Sequence, residues 1–281
     1  MVRMELSTFP FLSGCRPTRE GFVIVIDIIH SNFRHLKNPQ SRLLSVILLL
    51  RMGRFCSDGM ILQRIVPLLL LGLEDPIAHV RAASVRVLRS LLALVVAPSL
   101  LESNIFPLYI FPSLSRVAKD SELLVRVAFA ECIGVFAETA KHFLDTAHVL
   151  SLSRVAADSV GMQQQQSEGG GSMYLDFPYD QKLDFVREQF HRWIKELVVE
   201  GSTAGSLGSS LRSSSGVIAP GVLSSSSLLT SAADGRRAST LKRIFLTDII
   251  RLCVFFGQES TMDKLLTQLL TFLNDPDWEL R

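Results

Sequence analysis

The side chains best suited to hold a metal ion are scattered along the 281-residue chain. The four cysteines, Cys15, Cys56, Cys132 and Cys253, form no CxxC pair, and the six histidines form no HExxH motif. Zinc sites need closely spaced cysteine and histidine ligands, and a disulfide framework needs paired cysteines. The sequence therefore predicts no metal site, and it predicts the reduced thiols of a cytosolic protein.

Residues that could carry out acyl or phosphoryl transfer are no better organised. No GxSxG elbow occurs, and the chain has no glycine-rich phosphate loop after a strand and no VAIK, HRD or DFG motif. Glu131 and Glu138 are seven residues apart on one predicted helix, where a polar helix face explains them as well as an acid–base pair does. We expect no catalytic residue and no cofactor.

One serine carries a possible regulatory signal. Arg236 and Arg237 precede Ser239 in a serine-rich stretch, and this pattern suits a basophilic kinase. A phosphate there would meet the positive N-terminal end of the helix predicted to follow. We therefore name Ser239 as a possible phosphosite that such a kinase should label. Alternatively, Ser239 is only the N-cap of that helix.

The composition excludes some classes of partner. Twenty-nine Lys and Arg against 27 Asp and Glu leave a net charge of +2, which is too small to attract nucleic acid or an anionic membrane by charge alone. Hydrophobic residues make up 48% of the chain, so most of it must pack. No apolar run reaches the roughly 18 residues of a membrane-spanning helix.

A repeat organises the rest of the sequence. A proline is followed after eight residues by an aspartate, and an aliphatic–arginine pair lies five and six residues after that aspartate. Two copies are shifted by 45 residues, and a third has a threonine in place of the proline. The copies are Pro67, Asp75 and Arg81; Pro112, Asp120 and Arg126; and Thr267, Asp275 and Arg281.

Apolar residues recur at helical spacing around each copy, so each unit predicts two amphipathic helices joined by a turn. Asp75-Pro76 has the form of a helix start, with aspartate at the N-cap. The run from Phe22 to Ile29 could pass for a strand, but its helical neighbours favour a buried helix. The predicted helices span 21–36, 42–56, 59–74, 77–97, 103–119, 122–145, 146–158, 174–200, 241–256 and 260–273.

Such helix pairs cannot bury their apolar faces alone and must stack. The fold class is therefore all-α, an α-solenoid of stacked helix pairs with a long disordered serine-rich insertion. The helix 174–200 carries an apolar seam from Leu183 to Leu197, which either docks on its own solenoid or binds a partner. The predicted segments are an irregular start 1–20, repeats 21–160, a polar linker 161–173, the amphipathic helix 174–200, a disordered loop 201–240, and repeats 241–281.

The proline, aspartate and aliphatic–arginine signature resembles that of HEAT repeats. The resemblance implies that aspartates and arginines of neighbouring units form a ladder of polar contacts along the stack. That structural ladder would comprise Asp75, Arg81, Asp120, Arg126, Asp275 and Arg281.

Three longer strings narrow the resemblance: residues 64–95, 103–144 and 249–281, the last with RLCVFFG and TFLND. Together they resemble the HEAT region of the protein-kinase-like regulatory subunit of the class III phosphatidylinositol 3-kinase, a vacuolar protein sorting scaffold. The family's kinase-like and β-propeller domains find no counterpart in these residues. Its myristoylation signal needs glycine after the first methionine, where Val2 stands.

The resemblance implies a non-catalytic scaffold that organises the lipid kinase for phosphatidylinositol 3-phosphate production in endosomal sorting and autophagy. Its partners would be the lipid kinase catalytic subunit and its autophagy and endosome regulators, with no nucleic acid. It would be cytoplasmic and peripheral to endosomal and autophagic membranes, reaching them only through the complex. Two alternatives stay open: an unrelated HEAT adaptor of the transport-receptor or phosphatase-scaffold type, and part of a serine/threonine kinase whose catalytic domain lies outside these residues.

Overall fold

The computed structural model describes residues 19–100, 102–158, 177–203 and 239–272. All regular structure in these ranges is helical, as the all-α prediction requires. The chain divides into two compact units, Met1–Ala97 and Pro98–Arg281. Each unit is a stack of helical layers, so the solenoid class is confirmed.

The described part of the first unit, residues 19–97, contains four helices in two pairs. Asn38 starts the second helix in the way expected of an N-cap, because its side chain accepts a hydrogen bond from the backbone N–H of Gln40 at 2.9 Å, and Pro39 follows. The four are α1 (Arg19–Phe33), α2 (Pro39–Gly53), α3 (Asp58–Met60, a π-helical turn Ile61–Ile65, and Val66–Gly72) and α4 (Ala78–Leu92).

Helices α1 and α2 pack on each other, and α2 lies along α4. The buried residues of each helix recur at helical spacing and form a stripe along one side of it. A short turn between two helices can therefore bring their stripes into contact. The π-helical turn of α3 contacts α1, α2 and α4. Fully buried residues of this core include Ile26, Val46, Leu49, Ile65, Val85, Leu88 and Leu91.

The described residues of the second unit contain seven helical segments. A short 3-10 turn, Glu102–Asn104, leads into the first of them. They are α5 (a π-helical turn Phe106–Ile110 and Phe111–Ala118), α6 (Leu123–Ala130), α7 (Ile133–Asp158), α8 (Tyr179–Thr203), α9 (residues 239–247), α10 (Ile249–Ser260) and α11 (a π-helical turn Thr261–Leu265 and Leu266–Phe272).

Two rows of helices form the layers of this unit. In one row α8 packs beside α5, and in the other α10 packs beside α7. Helix α8 also contacts α7, so it occupies the place that the first helix of a repeat would take. Helix α10 meets α8 through Phe255 and Phe190, whose ring centroids are 5.3 Å apart, and residues 204–238 and α9 separate the two helices in sequence.

The repeat proline lies inside a helix, directly after a π-helical turn. Pro67 and Pro112 each occupy the second position of the α-helical part that follows the turn. A proline inside a helix lacks an N–H and crowds the carbonyl one turn earlier, so a wider turn before it relieves the conflict. The third copy keeps the turn without the proline, and there the hydroxyl of Thr267 donates to the Asp263 carbonyl at 3.1 Å.

Several predicted boundaries were wrong. The predicted helix 122–145 is broken at Glu131 and Cys132, and the predicted boundary at 145/146 lies inside the continuous α7. The predicted helix 241–256 is interrupted at Asp248. Long apolar runs hide such breaks because the pattern continues through them. The run Phe22 to Ile29 is helical, within α1.

Parts of the predicted segment scheme fall outside the described residues. This holds for the polar linker 161–173 and for most of the start 1–20 and of the serine-rich loop 201–240. The disorder of that insertion stays a prediction.

Gly257 forms a kink inside α10, near its C-terminal end, and has φ +76° and ψ 171°. This backbone region is open almost only to glycine, while a Cβ would meet nothing closer than Arg187 Nη2 at 3.6 Å.

We expect Gly257→Ala to destabilise the chain by about 1–3 kcal/mol through backbone strain alone. Gly21→Ala, on the exposed side of α1 with open space around it, should stabilise it by about 0.5–1 kcal/mol. Urea unfolding midpoints would show opposite shifts, and equal shifts would contradict this account.

Candidate functional site

The apolar seam of α8 is buried within its own unit. Val186, Phe190, Trp193 and Leu197 are each at most 4% exposed, and Leu183 is half-buried. Of the two roles open for this seam from sequence, the structure has the first: it docks on the helices of the same chain. The opposite side of α8 is polar, with Asp184 and Glu188 exposed.

Trp193 lies at the centre of an aromatic cluster. Its side chain has no exposed surface. Three phenylalanine rings meet it nearly edge-on, at centroid distances of 5.6, 5.5 and 5.1 Å: Phe111, Phe129 and Phe190. Phe190 in turn contacts Phe255 of α10 at 5.3 Å. Edge-to-face pairs of this kind add to the energy of burial, so the cluster joins α5, α6, α8 and α10.

Ser115 meets the polar atom of this cluster. Trp193 Nε1 donates to Ser115 Oγ at 3.1 Å, and Gln189 Nε2 approaches the same oxygen at 3.4 Å. The Ser115 hydroxyl donates its own proton to the Phe111 carbonyl at 2.9 Å. A buried indole N–H needs an acceptor, and Ser115 fixes the register of α8 on α5 by supplying it.

Asp75 makes a polar contact between helix pairs, and its partner is Arg42, which the predicted ladder does not include. Asp75 Oδ2 lies 3.0 Å from Arg42 Nη1 of α2, and the Asp75 side chain is only 3% exposed. Its other oxygen accepts the Ile77 N–H at 2.8 Å. Arg81 Nη1 instead donates to the backbone carbonyls of Asp75 and Pro76, at 2.8 and 3.1 Å.

The N-cap role expected for Asp75 was wrong. The helix begins at Ala78 with Ile77 at the cap position, so the aspartate closes the turn before it. Asp120 does the same in the next copy, accepting the Glu122 N–H at 2.9 Å before α6. The residues that follow each aspartate form the turn, so each helix begins after its aspartate and not at it.

The remaining ladder residues are less informative. Arg126 lies within α6 and is partly buried, with contacts of its own. Asp275 and Arg281 lie outside the described residues. The six-residue ladder stays a prediction, and the ion pair of Asp75 is with Arg42, which is not among the six.

Other ion pairs cross between layers at positions that the repeat does not mark. Asp27–Arg64 joins α1 to α3 at 3.4 Å, and Glu138–Arg251 joins α7 to α10 at 3.0 Å. Sequence reasoning missed these pairs because their members are more than 35 residues apart. Two further pairs are Lys119–Glu196 at 3.1 Å and Glu188–Lys264 at 3.0 Å.

The pair between Glu188 and Lys264 changes the acidity of its carboxyl group. The hydrogen bond from the Lys264 ammonium lowers the pKa of Glu188, since it favours the charged carboxylate. The neighbouring His191 has a lowered pKa, mainly because partial burial disfavours its charged form. Both effects fit a packed structural contact between α8 and α11.

A groove of about 780 Å³ opens in the second unit between the start of α5, the middle of α7 and the start of α8. Most of its lining is apolar, including Phe106, Leu144 and Val186. Tyr179 Oη donates to Asp145 Oδ1 at 2.6 Å on its edge. Burial, together with this bond, raises the pKa of Tyr179 to about 12, so the phenol keeps its proton. The groove offers apolar contact with a few polar groups, which suits binding better than bond-making chemistry.

Ser239 is the first described residue of α9 and is only 8% exposed. Labelling by a kinase would need the first turn of α9 to open. The phosphosite therefore stays a prediction, and phosphorylation there would cost the energy of opening that turn.

Within the described ranges, no three His, Cys, Asp or Glu side chains come together in a way that could hold a metal ion. No helix in the same ranges is long and apolar enough to cross a membrane.

Comparison with known proteins gives a consistent family. Residues 25–281 match the family model described as PIK3R4-like, middle domain. The chain is 31% identical over 266 residues to a probable serine/threonine-protein kinase vps15 of Dictyostelium discoideum, and 32% identical over 264 residues to serine/threonine-protein kinase VPS15 of Arabidopsis thaliana. Each match covers 93% of this chain but only 11% and 15% of the relative, so the chain spans a small part of their length.

The bond between Trp193 and Ser115 can be tested against a matched serine. Ser115→Ala removes the acceptor of a fully buried N–H, so we expect it to lower the free energy of unfolding by about 1–3 kcal/mol. Ser90 makes the same kind of bond to its own helix, to the Arg86 carbonyl at 2.9 Å, but it lies in the first unit, away from the aromatic cluster. Ser90→Ala should change stability by less than about 0.5 kcal/mol. Equal losses of unfolding free energy in the two variants would contradict the role assigned to Ser115.

The pair between Asp75 and Arg42 provides a second test. Arg42→Met would leave a buried carboxylate without its cation, and we expect a loss of about 3 kcal/mol. Arg64→Met breaks the exposed pair with Asp27, whose side chains are 57% and 47% exposed, and should cost at most about 1 kcal/mol. Urea unfolding at neutral pH measures both. A larger loss for Arg64→Met than for Arg42→Met would contradict the assignment.

Proposed function

The chain belongs to the PIK3R4-like family as its middle domain, and from this premise we propose that it is a non-catalytic scaffold segment of a class III phosphatidylinositol 3-kinase regulatory subunit. The observation that carries the proposal is the match of residues 25–281 to that middle domain. In this role the segment organises the lipid kinase complex that makes phosphatidylinositol 3-phosphate in endosomal sorting and autophagy.

The geometry supports scaffolding because contacts on both the inner and the outer faces hold the helical layers of the second unit together. The cluster around Trp193 buries the inner faces of four helices, and ion pairs such as Glu138–Arg251 link the outer faces of neighbouring layers. Stacked helices held in this way present extended ridges whose spacing is fixed. A partner that contacts two layers at once then finds them at a defined distance.

The proposed partners are the lipid kinase catalytic subunit and its autophagy and endosome regulators. The proposed location is cytoplasmic, at the surface of endosomal and autophagic membranes and reached through the complex. A HEAT-type stack suits this role, since its docking surface is made of side chains on rigid helices.

A second candidate function has a specific observation in its favour. Both relatives described above carry the words serine/threonine-protein kinase in their names. The chain would then be the helical part of a longer kinase, and its stack would position a catalytic domain encoded elsewhere. The two candidates differ in whether phosphorylation of protein or production of a lipid depends on this segment.

The test uses the 281-residue chain with an affinity tag and a purified class III lipid kinase catalytic subunit. We expect the two to co-elute, and we expect Trp193→Ala to reduce co-elution because it loosens α8. Ser90→Ala, which leaves the cluster intact, serves as the matched control. Co-elution with a transport receptor or phosphatase, and not with the lipid kinase, would support the adaptor alternative and contradict the proposal.

The kinase candidate is tested by the activity of the native protein, since the scaffold proposal also makes the chain a segment of a longer subunit. An antibody to the α8 segment should detect a band far larger than 31 kDa if the segment acts within a longer kinase. Immunoprecipitated material should then phosphorylate protein substrates, whereas the purified chain alone should not. Protein kinase activity of the purified chain would overturn both candidates.

A further inference from the structure

One side of α8 faces the kink of α10 and the start of α11. Glu188 accepts a hydrogen bond from Lys264 Nζ of α11 at 3.0 Å. Arg187 Nη2 lies 3.6 Å from the position that a Cβ at Gly257, the kink of α10, would take. His191 follows these two residues of α8 by three and four positions, so it lies one helical turn further along the same side. The contact of Glu188, His191 and Lys264 is called the α8–α11 joint below.

His191 lies among charged groups without a hydrogen bond of its own. The residue is half-buried, and its Nδ1 atom has no exposed surface and no hydrogen-bond partner among the described residues. Three charged groups act on the ring: Glu188, Lys264 of α11, and Lys195, four residues further along α8. Burial is the largest cause that lowers the pKa of His191 below its usual 6.5, and the two lysines add to this effect, while Glu188 opposes it. At neutral pH the ring therefore carries no charge.

Protonation of His191 would create competition for one carboxylate. Glu188 is three residues before His191 in the same helix, a spacing at which a glutamate and an imidazolium attract each other. The same carboxylate holds Lys264, and a second cation beside it repels that ammonium. The other cation on this side, Arg187, already has a carboxylate of its own, since it pairs with Asp184 at 3.7 Å. Two cations would then share Glu188.

We propose that the α8–α11 joint is acid-sensitive, in that protonation of His191 draws Glu188 away from Lys264 and loosens the π-helical turn at the start of α11. The joint is closed while the ring is neutral and opens as the ring gains a proton. It holds the last described helix of the stack against α8, and so fixes the spacing of the ridges there. The device is independent of which partner the proposed scaffold binds.

The direction of the pH dependence follows from the two carboxyl and imidazole groups. An unfolded chain protonates His191 near its usual pKa of 6.5, while the folded chain protonates it only at a lower pH. The stability that the neutral ring contributes is therefore present above pH 6.5 and is lost as the pH falls through the folded value. The pKa of Glu188 is lowered from 4.5, mainly by the hydrogen bond from Lys264, so this carboxylate keeps its charge while His191 titrates.

NMR titration of the histidine ring protons of the 281-residue chain, from about pH 8 to about pH 5, tests the arrangement of charges. His191→Gln identifies the signal, which we expect to titrate below pH 6.5. Lys264→Met removes the repelling ammonium and should raise the midpoint, whereas Glu188→Gln removes the attracting carboxylate and should lower it. A midpoint of 6.5 or above, or one that neither variant moves, would overturn the proposal.

Amide hydrogen exchange tests the opening itself. The side chains of Glu188 and Lys264 are 55% and 32% exposed, so we expect a local loosening and no global unfolding. Between about pH 7.5 and 5.5, protection of the amides at the start of α11, corrected for the intrinsic exchange rate, should fall at least about threefold. His191→Gln stays neutral and should keep its protection. His79→Gln, at an exposed histidine of α4, is the matched control and should lose protection as the unchanged chain does. Constant protection in the unchanged chain, or an equal loss in His191→Gln, contradicts the device.

Discussion

Burial of the apolar stripe of α8 is the interaction on which the second unit depends. Its buried residues include Val186, Phe190, Trp193, Ile194 and Leu197, and the rings of Trp193 and Phe190 contact phenylalanines of α5, α6 and α10. Helix α8 contacts α5 in one row and α7 in the other, so removing α8 would expose the inner faces of both rows. The hydrogen bond to Ser115 adds little net energy, but it is directional and so selects one register among several apolar ones.

This arrangement explains how the stack accommodates a long interruption. Residues 204–238 and α9 stand between α8 and α10, where the earlier helix pairs have a turn of a few residues. The entropic cost of closing a loop grows only slowly with its length. The predicted loop over residues 201–240 is therefore compatible with stacked helices on either side of it, which Phe190 of α8 and Phe255 of α10 join.

The fold class could be predicted from sequence because helix type and repeat length depend on local pattern. The 45-residue shift between Pro67 and Pro112 and the spacing of the apolar residues sufficed. The exact helix ends could not, since Glu131, Cys132 and Asp248 interrupt patterns that continue past them. Family resemblance was also accessible, as the matched residues 25–281 show.

The contacts of the site depended on three-dimensional neighbours that no local spacing records. Asp75 was found from the repeat, but its partner Arg42 lies 33 residues earlier on another helix, and nothing in the signature distinguishes it from the other arginines. Likewise, no feature of the sequence distinguishes Ser115 from the many other serines. Both are needed because burial makes an unpaired polar group costly. The repeat signature therefore identifies which residues will be buried and polar, while packing between layers decides which side chain satisfies each of them.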